Sequence, residues 1–393
     1  MAQKISCRKV YRFRLESTEL EALELDRTAS VARYIYNWGL ARCRQYYQQH
    51  GQGKPWAELS AEFTQLKQME WWLYDFDSQM LQQALVDLRR AYLNFFERRA
   101  KFPRFKKKRA PRQSFRIPQR VRIENGCVYV PSIGRIRIRQ SQAIEFATRS
   151  ATFKRTAVGH WFVTVVVKFE MPAAKVPIRE DQAVGFDMVL EPPNFLVRSD
   201  GEEVRAPRYY RARERKQRRA QRHLSRKQKG SRNRAKARRR VAKIHERTAN
   251  LRREFLHQLS HLMVITWSVI CFEDLSLKAL ARTKPAKSWL DAAFGELLRQ
   301  VEYKARWNRK HFVQVDRFFP STKLCSECGY KKDDLSLSAR EWTCPGCGTH
   351  HLRDWNAAKN VRAEGLRVVA EGHPETENAC GLRVRLAQAS VAG

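Results

Sequence analysis

Polar and apolar side chains alternate at the start of the chain. Residues 8–15, KVYRFRLE, read as a β-strand with one wet face, of the kind found at a sheet edge. From about Ser17 to Phe96 the period becomes helical. Val31, Tyr34, Ile35 and Trp38 follow the i, i+3, i+4, i+7 rule, and Leu81, Leu85, Leu88 and Tyr92 repeat it later, with the turn HGQGKP between them. These aromatic stripes read as helix–helix core. Residues 98–122 hold twelve Lys/Arg and three prolines, which precludes a regular helix. Short alternating runs follow: CVYVPS, GRIRIRQ and ATFKRTAVGHWFVTVVVKFE. They predict a small β-barrel that the first strand completes, with the helical block as an insertion.

After Pro177 the pattern changes again. An apolar strand at 183–190 precedes NFLVRSDGEEVRAP, where Asp200-Gly201 marks a hairpin turn. A basic segment of good helical propensity runs from Arg205 to about Arg253, broken at Gly230-Ser231. A strand ends at VICFEDL (269–275), a helix lies near 290–310, HFVQVDRF (311–318) is a strand, and RDWNAAKN opens a last helix. The order is β-β-β-α-β-α-β-(insertion)-α. Residues 371–393 show little periodicity and are expected to be a disordered tail. The longest apolar run, Leu262–Phe272, is too short to span a bilayer, and the N-terminus has no signal-type apolar core. A soluble, cytoplasmic protein is expected.

Charge narrows the partners. Against 77 Lys+Arg stand 40 Asp+Glu, a net +37 over 393 residues. Such an excess repels itself in a compact chain unless a polyanion neutralises it, and nucleic acid is the leading candidate. The absence of a long lipid-facing amphipathic helix argues against a membrane. Two runs are candidate phosphate contacts. One carries Arg104, Lys106, Lys107, Lys108, Arg109 and Arg112, interleaved with Phe102 and Phe105. The other carries Arg215, Lys216, Arg218, Arg219, Arg222, Arg226 and Lys227 and reads as a helical hairpin gripping a duplex; a disordered basic run is the alternative.

Four of nine cysteines form two pairs, Cys325/Cys328 and Cys344/Cys347, in a C-x2-C-x15-C-x2-C pattern. Gly329 after the first pair and Pro345-Gly346 inside the second suit knuckle turns. The spacing predicts one tetrahedral Zn²⁺ on four thiolates, structural because no ligand position is left open. So short a segment needs the metal as its core.

Three carboxylates sit at strand ends or helix starts. Asp187 lies within the first strand of the second half, Glu273 ends the VICFE strand, and Asp354 opens the last helix. Glu273 beside Asp274 also reads as an ordinary strand-end charge, and Asp354 also reads as a helix N-cap. Asp187 is harder to dismiss, because a carboxylate in an apolar strand costs several kcal/mol unless paired or metal-bound. In a ribonuclease H type of order the first and fourth strands are neighbours and the last helix crosses them. That brings the three acids together, where two Mg²⁺ (or Mn²⁺) about 4 Å apart would offset their repulsion and support phosphodiester hydrolysis.

With these residues in view, the chain resembles transposon-encoded TnpB proteins, compact RNA-guided nucleases related to type V CRISPR effectors. The resemblance is carried by ARYIYNWGLAR (32–42), FPRFKKK (102–108), GFD (185–187), FEDLSLKAL (272–280), RQVEYKARW (299–307), DRFFPSTKLCSECG (316–329) and RDWNAAKN (353–360). It implies an α+β multidomain chain. A wedge-type β-barrel (1–15 and 113–180) carries an inserted helical recognition domain (16–112). A RuvC/ribonuclease H-like α/β nuclease domain (181–320 and 352–370) carries an inserted zinc-binding module (321–351). It further implies a transposon-end-derived guide RNA bound by a monomer, a target double-stranded DNA with a short adjacent motif, and catalysis by Asp187, Glu273 and Asp354. Two departures stand out: MVLEPPNF follows the first Asp, with Val189 where Gly is common, and Leu352 replaces the first acid of the usual Asp-Arg-Asp. A nuclease-dead repressor, a transposase-like strand-processing enzyme and an RNA-binding protein with a structural zinc are the competing readings.

Overall fold

The computed structural model describes residues 4–108, 110, 112–173, 175–189, 194–205, 207–276, 291–336 and 338–371. Pro192-Pro193, Arg109, the end of FEDLSLKAL and the tail from 372 lie outside them. The chain divides into two compact units, Lys4–Met171 with Gln228–Lys243, and Pro172–Lys227 with Ile244 onward.

The first unit begins with β1 (Lys4–Leu15) and α1 (Glu19–His50). A capping box starts α1: Glu21 N–H donates to Thr18 Oγ1 and Thr18 N–H donates to the Glu21 carboxylate. Gly51, at φ 67°, ends it in the left-handed conformation. Next come α2 (Trp56–Met69) and α3 (Ser78–Phe96), the latter capped by Asp77. Six strands follow: β2 (Gln113–Ile117), β3 (Arg122–Glu124), β4 (Cys127–Val130), β5 (Gly134–Arg139), β6 (Thr148–Arg155) and β7 (Trp161–Pro172). The helical stripe (Leu25, Ala29, Ile35, Leu81, Leu85) and the inward strand residues (Tyr11, Phe13, Phe115, Phe153, Val165) share one core.

Two expectations are corrected here. The seven strands are ordered β2-β6-β7-β1-β5-β4-β3, an open sheet with no closure among the described residues. β3 is only three residues long, and α1 and α3 pack against β2, so neither end is suited to join the other. β1 is the central strand rather than an edge. Its alternation reports one solvated face, which a central antiparallel strand shows as readily as an edge.

The second unit is built on a five-stranded sheet. Its strands are β8 (Ala183–Met188), β9 (Asn194–Arg198), β10 (Glu203–Arg205), β11 (Val269–Glu273) and β12 (His311–Val315), in the order β10-β9-β8-β11-β12. β8, β11 and β12 are parallel neighbours, and β9 and β10 run antiparallel. The helices are α4 (Tyr209–Ser225), α5 (Arg232–Thr266, whose first third groups with the first unit), α6 (Phe294–Trp307) and α7 (Arg353–Ala370). On one sheet face Val184, Phe186, Ile270 and Phe272 pack on Leu256, Met263, Leu297 and Val301 of α5 and α6. On the other, Ala183, Val269, Cys271, Val313 and Val315 pack on Val361 of α7. The cysteine segment between β12 and α7 adds a hairpin of β13 (Glu341–Thr343) and β14 (His350–Leu352).

Candidate functional site

The parallel register aligns the first two carboxylates. Phe186 pairs with Phe272, so Asp187 and Glu273, one residue on, are the next neighbours and project to the same face. That face also carries Gly185 and Cys271, and it is the face α7 covers. A Cβ on Gly185 would lie 2.1 Å from the Ala358 carbonyl oxygen, and one on Gly365 would lie 2.2 Å from Cys271 Sγ. These two glycines let α7 lie directly on the strands. Ala358 sits over Gly185, and Asp354 is one helical turn before Ala358, so it comes up beside Asp187. Further bonds anchor α7: Arg362 Nε donates to the Ala183 carbonyl at 3.0 Å, and Trp355 Nε1 donates to the Ser199 carbonyl at 3.0 Å.

Electrostatics report the same convergence. Burial first, then the charges of Glu273 and Asp354, push the Asp187 carboxyl well above the usual carboxylate range; Arg353 and the Met188 N–H oppose this. Asp187 is 9% exposed. Burial also raises Glu273, against a hydrogen bond from Ser321 Oγ and the charge of Arg353. Carboxylate oxygens are hard donors of the kind that could hold Mg²⁺ or Mn²⁺, and a cation there would relieve the like charge that raises Asp187. Asp354 is not the N-cap. The cap position is Leu352, which makes no side-chain cap bond, and Asp354 lies in the first turn of α7. The helix starts directly from β14. Leu352, at the departure from the usual motif, is exposed.

The four cysteine sulfurs lie within 4.8 Å of one another. Cys325–Cys347 and Cys328–Cys344 are each 3.6 Å apart. Zn–S bonds of about 2.3 Å in a tetrahedron place sulfurs about 3.8 Å apart, so this donor set fits a zinc ion. Two matching turns build the site. Gly329 N–H donates to the Cys325 carbonyl at 3.0 Å and Gly348 N–H to the Cys344 carbonyl at 2.9 Å, with φ of 75° and 72°. The counterpart of Gly329 is therefore Gly348, not Gly346. His351 Nε2 lies 3.0 Å from Cys325 Sγ, and burial lowers the proton affinity of its ring, which suits an N–H···S contact from a neutral imidazole.

Of the basic candidates, Arg104, Lys107, Lys108 and Arg112 are exposed, as are Arg215, Lys216, Arg218, Arg219, Arg222 and Arg226 on and just after α4; Lys227 is half-buried. Arg218 pairs with Glu214 at 2.8 Å. Lys106 differs from its neighbours in the run. Its backbone is held by both ends of the Asn37 amide, its ammonium lies 3.9 Å from the Tyr36 ring centre, and burial lowers its pKa. Part of the residue is exposed, but the charge is turned onto the protein. The sequence reading missed Ser321, Asn356 and Asn360. Their signal was a pair of asparagines at i, i+4 in a helix interior, where Asn is a poor former.

Comparison with known proteins completes the picture. The "Cas12f1-like, TNB domain" family matches residues 294–361, and the "Probable transposase" family of IS605 OrfB matches residues 164–284. A "Helix-turn-helix domain" of IS605 OrfB matches residues 4–52, which here form one strand and one long helix. A Streptomyces pristinaespiralis protein named "Putative RNA-guided DNA endonuclease" is 35% identical over 373 residues, covering 93% of this chain and 91% of its own. The Escherichia coli (strain K12) protein "Putative RNA-guided DNA endonuclease InsQ" is 29% identical, with 93% and 94% covered. Among solved structures, the Cas12f1 chain of a Cas12f1-sgRNA-target DNA complex shares the fold, with TM-score 0.54, 11% identity, and 88% and 83% covered. On sequence identity across nearly its whole length, this chain belongs to the IS605 OrfB/TnpB family.

Proposed function

We propose that this chain is an RNA-guided DNA endonuclease in which Asp187, Glu273 and Asp354 hold two Mg²⁺ or Mn²⁺ ions for phosphodiester hydrolysis. The observation that carries it is the convergence of three acids, from residues 187, 273 and 354, on one sheet face, with Asp187 buried among like charges. A purely structural role sets three acids against the charge of Arg353, which leaves Asp187 still raised well above the usual carboxylate range. Bound there, divalent ions would neutralise the acids, polarise the phosphodiester and acidify a water. The protein's own part is positional. β8 and β11 set two acids in register, α7 delivers the third, and Arg353 adds a positive charge beside them.

In this reading the second unit is a RuvC-like nuclease domain with a cysteine module that holds one structural Zn²⁺. The first unit holds the helical recognition element (16–112) and most of the wedge (1–15 and 113–180), whose last residues from Pro172 group with the second unit. The net charge of +37 and the exposed cations of α4 support a guide RNA and a target double-stranded DNA as partners, consistent with the names of the relatives. One RNA per monomer and a cytosolic location complete the reading. Among the described residues no helix is long and apolar enough to cross a membrane.

The test is cleavage by the purified protein–RNA complex of DNA carrying a guide-matched site, with Mg²⁺ or Mn²⁺. A wild-type complex that binds such DNA and never cuts it makes the chain a binding protein instead. Metal analysis should give close to one zinc per chain, and Cys325→Ser should lose it.

A further inference from the structure

Ser321 lies on the connection from β12 into the cysteine module and is 4% exposed. Its hydroxyl donates to Glu273 Oε1. Its own carbonyl accepts from Asn360 Nδ2 at 2.7 Å, and the same amide donates to the Leu324 carbonyl at 2.7 Å. One turn earlier on α7, Asn356 Nδ2 donates to the Leu324 carbonyl at 2.6 Å, while its Oδ1 accepts from Ser326 N–H at 2.9 Å. Both asparagines are buried. Two amides of the helix that carries Asp354 thus grip residues 321–326, which run into the first knuckle at Cys325.

Glu273 is the acid with the most freedom. It ends β11, and its side chain has three rotatable bonds. A hydroxyl donating to one oxygen fixes which lone pairs of the carboxylate face the other acids. Groups that orient metal-binding carboxylates are commonly worth 10–100-fold in metal affinity.

We propose that Ser321 is a positioning residue for Glu273, and that Asn356 and Asn360 make this contact depend on the folded cysteine module. The inference rests on reading the three carboxylates as cation ligands. The module is then a clamp on the carboxylate site as well as a separate metal-stabilised hairpin. This explains why Asn occupies two interior positions of α7 despite its poor helix propensity.

The test is Mn²⁺ titration of the RNA-loaded protein, read by electron paramagnetic resonance of bound ion, beside single-turnover cleavage at each Mn²⁺ concentration. Ser321→Ala should raise the Mn²⁺ half-saturation by about tenfold or more, with target DNA binding unchanged. Ser321→Thr should restore it and Ser321→Val should not, because the two differ by the hydroxyl. Asn360→Ala should move it in the same direction at unchanged zinc content. If Ser321→Ala sheds zinc, the Thr and Val variants compared at equal zinc content decide. Wild-type half-saturation in Ser321→Val overturns the inference, as does equal impairment of the Thr and Val variants. If Asp187→Ala binds Mn²⁺ like wild type, the carboxylate reading falls and the inference with it. If Asp187→Ala loses Mn²⁺ while Ser321→Val is normal, only the inference falls.

Discussion

The two sheets treat charge in opposite ways. In the seven-stranded sheet, β1 alternates buried and exposed positions, and Arg8, Arg12 and Arg14 project to the open face. A charge there meets water. In the five-stranded sheet every residue of β8 is buried, because helices cover both faces. A carboxylate at Asp187 has no wet face to turn to, and its nearest charged neighbours include two more acids. A charged residue on a half-wet antiparallel strand is ordinary, whereas one in a doubly covered parallel strand is expensive and therefore informative.

The largest test of this contrast is catalytic. Asp187→Ala should lower DNA cleavage by about a thousandfold or more, the scale of losing a group that supports transition-state charge. Target binding should be retained, and Arg12→Ala should leave the chemical step intact. Single-turnover cleavage beside filter binding separates the two. Next in size is packing. Gly185→Ala places a methyl 2.1 Å from the Ala358 carbonyl oxygen, so α7 must shift. We expect a loss of about 1–3 kcal/mol in denaturant unfolding, with slower cleavage because Asp354 moves. Gly53→Ala, in the first unit, meets nothing within 4 Å and should be near neutral.

A smaller effect reverses the usual sign of mutation. In magnesium- and manganese-free buffer Asp187→Asn should raise Tm by a few degrees. Below the unfolded-state pKa of an aspartate both states are neutral and the wild type carries no penalty. As pH rises towards the raised folded-state pKa of Asp187 the penalty grows, and above it the penalty is complete. The gain of the variant should therefore be seen at neutral pH and vanish in acid; a gain that persists at low pH breaks the argument. The smallest effect concerns the basic loop. Lys107→Ala should reduce the salt slope of nucleic-acid binding by about one, and Lys106→Ala should not, since the Lys106 charge is turned onto Tyr36.

Helices were legible where periodicity and turns agree. The period from about Ser17 and the turn HGQGKP bound α1, and the break at Gly230-Ser231 separates α4 from α5. The order of the second half was legible because β8 is a short apolar run ahead of a hairpin turn and β11 is one between two helical patterns. The place of β1 in its sheet was not, since alternation records faces and not neighbours. Barrel closure was not, because it depends on which strands meet at the two ends. Asp354 looked like a cap by residue type, and only the helix start at Arg353 removed that role. Lys106 was indistinguishable from Lys107 in a run of cations until Asn37 and Tyr36 were seen to hold it.

By itself the sequence determined the element order, the four-thiolate spacing, the excess of positive charge and the identity of three acids, because these depend on composition and local period. Tertiary structure alone decided that Asp187 and Glu273 share a face, that two glycines seat α7 close enough to bring Asp354 to them, and that Ser321 reaches Glu273. Those facts depend on register, on close approach of backbones and on a contact 48 residues apart in the chain, and no local pattern encodes them.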